Sequence, residues 1–209
     1  TVGWWQFDEG IGSLAADAVA GNTGAFTQTG TGAPTWTPGM VGSALNFTTT
    51  TGYVTAPPAA AYNFGTGSFS MAAWMRSSNT ANGVRTILEK RTQSDGKLTL
   101  QVDDALWVSG STYSEYGNTL GASLLDGHWH LVAASVCRPR SGTPSVNLFV
   151  DGTQVQSSTG TSLVRMGSVS NPGPLNIGGQ TIYGANTAFA GDIDEPLLFN
   201  CCLSSNVIG

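Results

Sequence analysis

An all-β sandwich in a single domain is what this sequence predicts, and three observations predict it. The 209 residues hold 28 glycines and only 10% charged residues, a composition of short strands joined by tight turns. About eleven β-branched or alternating runs follow one another with turn residues between them. No segment carries apolar residues at helical spacing for more than two turns.

In chain order the candidate strands lie at 2–7, 43–48, 53–57, 69–77, 85–91, 97–103, 105–110, 130–137, 146–158, 174–179 and 192–199. The run VNLFVDGTQV reads as a hairpin turning at Asp151-Gly152, because Asp-Gly favours the type I′ turn that matches strand twist. AADAVA around Asp17 and LSSNVIG at the end each offer at most a helical turn. No internal repeat and no Pro/Ser linker divides the chain, so residues 1–209 are expected to form one unit.

The hydrophobic share of 40%, with six tryptophans and eight phenylalanines, is enough for a sizeable core. The formal net charge of −5 disfavours nucleic acid and anionic membrane and leaves neutral sugars, cations or proteins as partners. No apolar run reaches the roughly 20 residues of a membrane helix, and the chain opens on strand-like VGWWQF without a basic, apolar leader. Membrane insertion is not expected, and any signal peptide would already have been removed. Of the three cysteines, Cys137 either pairs with Cys201 or Cys202 or all three are buried thiols.

The order of the segments resembles the laminin-G-like, concanavalin A-like lectin-glucanase jelly-roll family. WWQFDEGIGSLAADAVAGNTGAF matches its opening, VGSALNF and FSMAAWMRS the next strands, DGHWHLVA and VNLFVDGTQV the central pair, and LNIGG with AGDIDEPLLFNCCLS the close. The resemblance covers essentially the whole chain and implies a two-sheet antiparallel jelly-roll sandwich. It departs at Pro196, where the family's closing strand runs I-D-E-V-R-I-Y. Proline removes a ladder donor there, so a bulge or an edge position is expected.

On the closing strand Asp192 and Asp194 project to one face, and Ile193 and Glu195 to the other. The resemblance implies a structural calcium between this strand and the ADAVAGNTG loop, with Asp17, Asn22 and Asp194 as ligands. Carbonyls of Gly21 or Gly24 would complete a shell of six to eight oxygens, with Asp192 and Glu9 as second choices. The plainer alternative makes Asp17 a turn-initiating cap and Asp192 a solvated charge. Glucanases of this broad fold carry E-x-D-x-x-E. Here the stretch is D-I-D-E-P, with Leu197 where the last acid is needed. His128 and His130 flank Trp129 on an expected core strand, and no G-x-S-x-G elbow is present.

Sugar rings are met by exposed aromatics and a few directed polar groups. Trp107, Tyr113 and Tyr116, in a loop-rich stretch, and Tyr183, in a Gly-rich turn, are the candidates. Trp5, Phe7, Trp74 and Trp129 are expected to pack in the core, with Trp4 opposite Trp5. Arg76, Arg85, Glu89 and Lys90 are candidates for a concave face. Asn46-Phe47-Thr48 is an N-x-T sequon with Asn46 facing outward.

These readings converge on an extracellular, calcium-stabilised, non-catalytic carbohydrate-binding module whose partner is a glycan or polysaccharide. Its end at 206–209, where the family's short closing helix would continue, implies other domains of a longer parent chain. An adhesion module and a polysaccharide lyase or glycoside hydrolase are the alternatives.

Overall fold

The computed structural model describes residues 1–28, 32–47, 52–80, 85–92, 97–102, 105–109, 115–119, 124–160, 167–179 and 188–208. Among them the strands are β1 (Gly3–Trp4), β2 (Leu14–Ala15), β3 (Gly24–Gln28), β4 (Thr35–Pro38), β5 (Ser43–Phe47), β6 (Gly52–Ala56), β7 (Phe69–Arg76) and β8 (Arg85–Arg91). They continue with β9 (Lys97–Val102), β10 (Ala105–Ser109), β11 (Glu115–Thr119), β12 (Trp129–Cys137), β13 (Ser145–Val150), β14 (Thr153–Thr159), β15 (Leu175–Ile177) and β16 (Gly191–Phe199). A 3₁₀ turn at Ala60–Tyr62 and a four-residue helix, α1 (Ser205–Ile208), are the described helical elements.

The strands form two antiparallel sheets that make the expected sandwich. The first runs β14-β13-β12-β7-β16-β5-β4, with β1 also paired to β16, and the second runs β11-β10-β9-β8-β15-β6-β3-β2. Period-2 alternation sorts each strand between core and outer face. On β9, Leu98, Leu100 and Val102 enter the core while Thr99 and Gln101 take the other face. On β7, Phe69, Met71, Ala73 and Met75 enter it. Trp5 and Phe7 are fully buried there, as expected of the opening strand.

The β13–β14 turn has Asp151 at φ 50° and Gly152 at φ 75°, the double positive φ of a type I′ turn. Pro196 lies in a bulge: the β16–β7 register shifts between Asp194 and Leu197, and Glu195 sits at φ 53°. The bulge lets an interior strand carry a proline, because the two-to-one step asks no ladder bond of that residue. Pro196 contributes its carbonyl, which accepts from Trp5 N at 3.1 Å.

Several sequence expectations are corrected. Trp74 and Trp129 are half-buried on the outer face of the first sheet, outside the core, because their parity on β7 and β12 is opposite to that of Met75 and Val132. Lys90 lies in the core-facing row with Leu98 and Leu175. Its Nζ donates to Asn63 Oδ1 at 2.9 Å and to the Asn171 carbonyl, and burial pulls its pKa down to about 8. Arg76 belongs to the first sheet, whereas Arg85, Glu89 and Lys90 belong to the second. The disulfide joins Cys137 to Cys202, and Cys201 is an exposed free thiol rather than a buried one.

The disulfide secures a small outer layer. Ile208, Leu203 and Leu197 pack with Ala72, Ala133 and Phe149 on the outer face of the first sheet. Leu203 N donates to Ser70 Oγ at 3.0 Å, and Ser135 Oγ donates to Leu203 O at 2.9 Å. The end of the chain is thereby docked across β7 and β12 beside the cystine.

Candidate functional site

The outer face of the second sheet carries a continuous polar row. Register sets Thr55, Asn176, Glu89, Thr99, Ser109 and Glu115 side by side across β6, β15, β8, β9, β10 and β11. Asn176, Glu89 and Thr99 are buried, with Arg91 and Gln101 beside them. Buried polar groups need partners, and Asn176, Glu89 and Thr99 have them. Thr55 Oγ1 donates to Asn176 Oδ1 at 3.1 Å, Thr99 Oγ1 to Glu89 Oε2 at 3.3 Å, and Arg91 pairs with Glu89 at 3.7 Å. The result is a rigid set of hydrogen-bonding groups on a sheet face turned away from the core.

The aromatic candidates relate to this face in part. Trp107 and Tyr116 lie in a described hairpin rather than a loop: Trp107 is in register with Gln101 on β9 and Gly117 on β11, and Tyr116 is opposite Val108. Their side chains, and Tyr113 and Tyr183 altogether, lie outside the described residues.

The three residues implied as cation ligands fall into two sets. Asp17 Oδ1 accepts from Trp4 N, Val19 N and Ala20 N at 3.0, 3.0 and 3.2 Å. Its Oδ2 accepts from Asn22 N at 3.4 Å and Tyr62 Oη at 2.9 Å. A carboxylate offers about four lone-pair sites, so these five donors occupy it. Asn22 joins the same set, its Nδ2 donating to Pro57 O at 2.8 Å and Tyr62 Oη at 3.2 Å. Desolvation by burial raises the Asp17 pKa, but the amides of Val19, Trp4 and Ala20 and the Tyr62 hydroxyl outweigh it and hold the carboxyl below its ordinary value.

Asp194 is tied to another loop. Its Oδ2 accepts from Met40 N and Val41 N, each at 2.9 Å, while Oδ1 is buried and accepts no hydrogen bond. The backbone amide of Glu195, like those of Val41 and Met40, favours the anion. Burial nevertheless keeps the Asp194 carboxyl above its usual range, and the nearby charge of Asp8 adds to the rise. Glu195, whose carboxylate accepts from the Trp4 indole N–H, is also raised by burial and by Asp194 and Asp8. Among the described residues no three His, Cys, Asp or Glu side chains converge as a metal-holding group.

The remaining acid and the histidines are committed elsewhere. Asp192 is 7% exposed rather than solvated, bonded to Asn46 and Arg76. Asn46 faces outward between the core residues Leu45 and Phe47, as its parity predicts, and its Nδ2 donates to Asp192 Oδ1 at 2.7 Å. His130 bridges Asp151 at 2.8 Å and Asp126 at 3.2 Å. Burial lowers its pKa, but those two carboxylates prevail and raise it. The imidazole clasps the β13–β14 turn to the approach of β12. Leu197 packs in the outer apolar cluster where the glucanase pattern would need its last acid.

Residues 48–209 match the family described as the concanavalin A-like lectin/glucanases superfamily, Laminin_G_3. No curated protein matches in sequence. Among solved structures, domain 4 of an extracellular GH43 arabinanase from Geobacillus stearothermophilus, in complex with arabinotriose, superposes with a TM-score of 0.71 at 15% identity. That alignment covers 99% of this chain and 95% of the domain. Trypanosoma rangeli sialidase gives 0.68 at 20% identity over 99% of this chain and 31% of its own. The binding domain of botulinum neurotoxin DC, solved with rat synaptotagmin II, gives 0.69 at 15% identity over 99% of this chain and 50% of its own. The chain thus spans about a third of the sialidase and half of the toxin domain. At these identities the likeness shows the fold.

Proposed function

The chain belongs to the concanavalin A-like lectin/glucanases superfamily, and from that premise we propose that it is a non-catalytic, extracellular carbohydrate-binding module. The observation that carries this reading is the polar row on the outer face of the second sheet, with Trp107 in register beside Gln101. A neutral sugar needs directed donors and acceptors held in place and an aromatic surface for its C–H face. The row supplies the first, and Trp107, Tyr113 and Tyr183 are proposed to supply the second; Tyr116 is in register with Val108 and, through it, with Leu100 of the core row. The Cys137–Cys202 disulfide supports an oxidising compartment.

The test is calorimetric titration of a panel of neutral oligosaccharides, beginning with arabinotriose, together with an assay for new reducing ends. Binding without product is expected. Trp107→Ala and Gln101→Ala are each expected to weaken it about tenfold, the worth of one well-placed contact. Release of product would replace the module with a hydrolase or lyase, and no binding by any glycan would favour a protein ligand.

A structural calcium is the second part of the proposal, and Asp194 is its centre. The buried, unpartnered Oδ1 is an oxygen of the kind a hard cation takes. Calcium bound there would offset the mutual repulsion of Asp8, Asp194 and Glu195. Asp17 and Asn22, whose polar atoms already serve Tyr62 and the loop amides, fit a ligand role less well than Asp194 does.

The sign of the coupling makes a prediction. A carboxyl whose folded pKa is raised favours folding increasingly as the pH falls toward that pKa. Metal-free protein is therefore expected to gain stability on mild acidification. Calcium is expected to raise the melting temperature at neutral pH, as any ligand of the native state alone must. Asp194→Asn is expected to abolish the calcium shift while melting at or above the wild type in chelator. Indifference of the wild type to both calcium and chelator would remove the cation.

A further inference from the structure

Outside the second sheet, described residues line an open pocket of about 390 Å³ at one end of the first sheet. It lies where β5 and β7 finish, β16 begins and the turn before β12 passes. Its lining includes Asn46, Arg76, Ser78, Asn79, Gly191 and Asp192. A volume of that order lies within the ~300–1,000 Å³ of small-molecule sites.

Register explains its chemistry. Asn46, Asp192, Arg76 and Trp129 stand side by side on adjacent strands β5, β16, β7 and β12. Asn46 Nδ2 donates to Asp192 Oδ1 at 2.7 Å, and Arg76 Nε and one terminal nitrogen each lie 2.7 Å from Asp192 Oδ2. The Arg76 guanidinium rests 4.8 Å above the Trp129 ring. Each group is thus held by a neighbour before any ligand arrives. The Asp192 oxygens keep lone pairs, and the guanidinium keeps N–H donors of its five. Arg76, with its side chain 37% exposed, can turn those donors outward.

Gly191 keeps the floor bare. At φ 144°, a Cβ there would fall 2.1 Å from the Arg76 carbonyl, so backbone rather than side chain faces the pocket. Ser77 Oγ, bonded to Ala190 O at 2.6 Å and to Asn79 N at 3.1 Å, fixes the rim.

We infer that this pocket is a second saccharide site, on the opposite sheet from the polar row, which takes a neutral sugar through adjacent hydroxyls. One hydroxyl donates to the Asp192 carboxylate and its neighbour accepts from Arg76. The carboxylate and guanidinium cancel, so the site offers no net positive charge to select an acidic sugar. Alternating donor and acceptor groups within one rigid row suit a vicinal diol. With a site on each sheet, one module can hold two glycan chains or two segments of one chain, and avidity then exceeds either affinity.

The experiment is two-dimensional amide NMR of the full chain titrated with arabinotriose and xylotriose, with trigalacturonate as the charged comparison. Both neutral probes are expected to move the amides of Gly127 and Gly191 and the Trp129 indole N–H. Trigalacturonate is expected to bind there no more tightly than the neutral probes, because Asp192 already neutralises Arg76 and leaves an anion no net attraction. Ser78→Trp, which fills the mouth from an exposed position and leaves the Asn46–Asp192–Arg76 bonds intact, is expected to abolish the shifts. Asp192→Asn is expected to weaken them about tenfold, roughly the loss of one charged acceptor. Gln101→Ala, on the other sheet, is expected to leave them unchanged, so failure of the second-sheet reading and failure of this one are distinguishable. Unmoved Gly127 and Gly191 amides at tens of millimolar probe, shifts that survive Ser78→Trp, or tighter binding of trigalacturonate would each overturn the proposal. Should Asp192→Asn unfold, Ser78→Trp decides alone.

Discussion

Removing the Cys137–Cys202 disulfide by the double substitution to alanine is expected to cost about 4 kcal/mol of unfolding free energy, within the usual range of about 2–5. The cysteines are 65 residues apart, and closing a loop of that length in the unfolded chain removes much of its conformational freedom. The native side adds to the loss. Without the cystine, the docking of Leu203 and Ile208 over Ala72, Ala133 and Phe149 rests on their own contacts and the Ser70 and Ser135 bonds. For a domain of this size the expected fall in melting temperature is about 8–16 °C. Urea or guanidinium unfolding of the double variant against wild type checks the free energy. Cys201→Ser, which removes the exposed thiol, is the control and is expected to be neutral. A loss under about 1 kcal/mol would show that the unfolded ensemble is already compact across this loop.

The sequence specifies the sandwich through its long alternating strands. β7, β9 and β12 declare themselves because each carries core residues at period 2. The strands that escape a sequence reading are those without that signal. β3 is GAFTQ, β4 is an edge strand ending at Pro38, and β11 is EYGNT with a central glycine. Such segments become strands because a neighbour offers a ladder, as β6 does for β3 and β10 for β11; propensity alone is too weak to place them. The cystine is legible only as an alternative, since Cys201 and Cys202 differ in which one the β16–α1 segment turns toward β12.

The same limit governs the sites. That Asp192 and Asp194 share a face follows from parity, but their partners come from distant sequence: Asn46 and Arg76 for one, Met40 and Val41 for the other. The pairing of two acids two residues apart with such different surroundings is what separates the neutralised row around Asp192 from the unneutralised oxygen of Asp194. The apolar character of W-H-x-V-A points Trp129 toward the core. One residue of parity puts it outside, against Arg76.

Asp17→Ala is expected to cost about 3 kcal/mol at pH 7, in the upper tail for a point substitution. The carboxylate joins the amides of Trp4, Val19, Ala20 and Asn22 to the buried Tyr62 hydroxyl; a hydrogen bond to a charged group contributes roughly 1.5–3 kcal/mol net of water, and bonds sharing one carboxylate do not add. Alanine leaves the Tyr62 hydroxyl without this acceptor. The substitution Asp17→Asn keeps the shape and one acceptor oxygen and is expected to lose about half as much. The dependence on pH separates the charge from the shape. The folded-state pKa of Asp17 is depressed, so its contribution is fully present above the unfolded value near 4 and is lost as the pH falls through the folded value. The gap between wild type and Asp17→Ala is therefore expected to be widest at neutral pH and to narrow on acidification below about pH 4. Chemical denaturation of both proteins at pH 7 and pH 3 measures it, and an equal loss at the two values would show that the loop is held by packing rather than by the carboxylate.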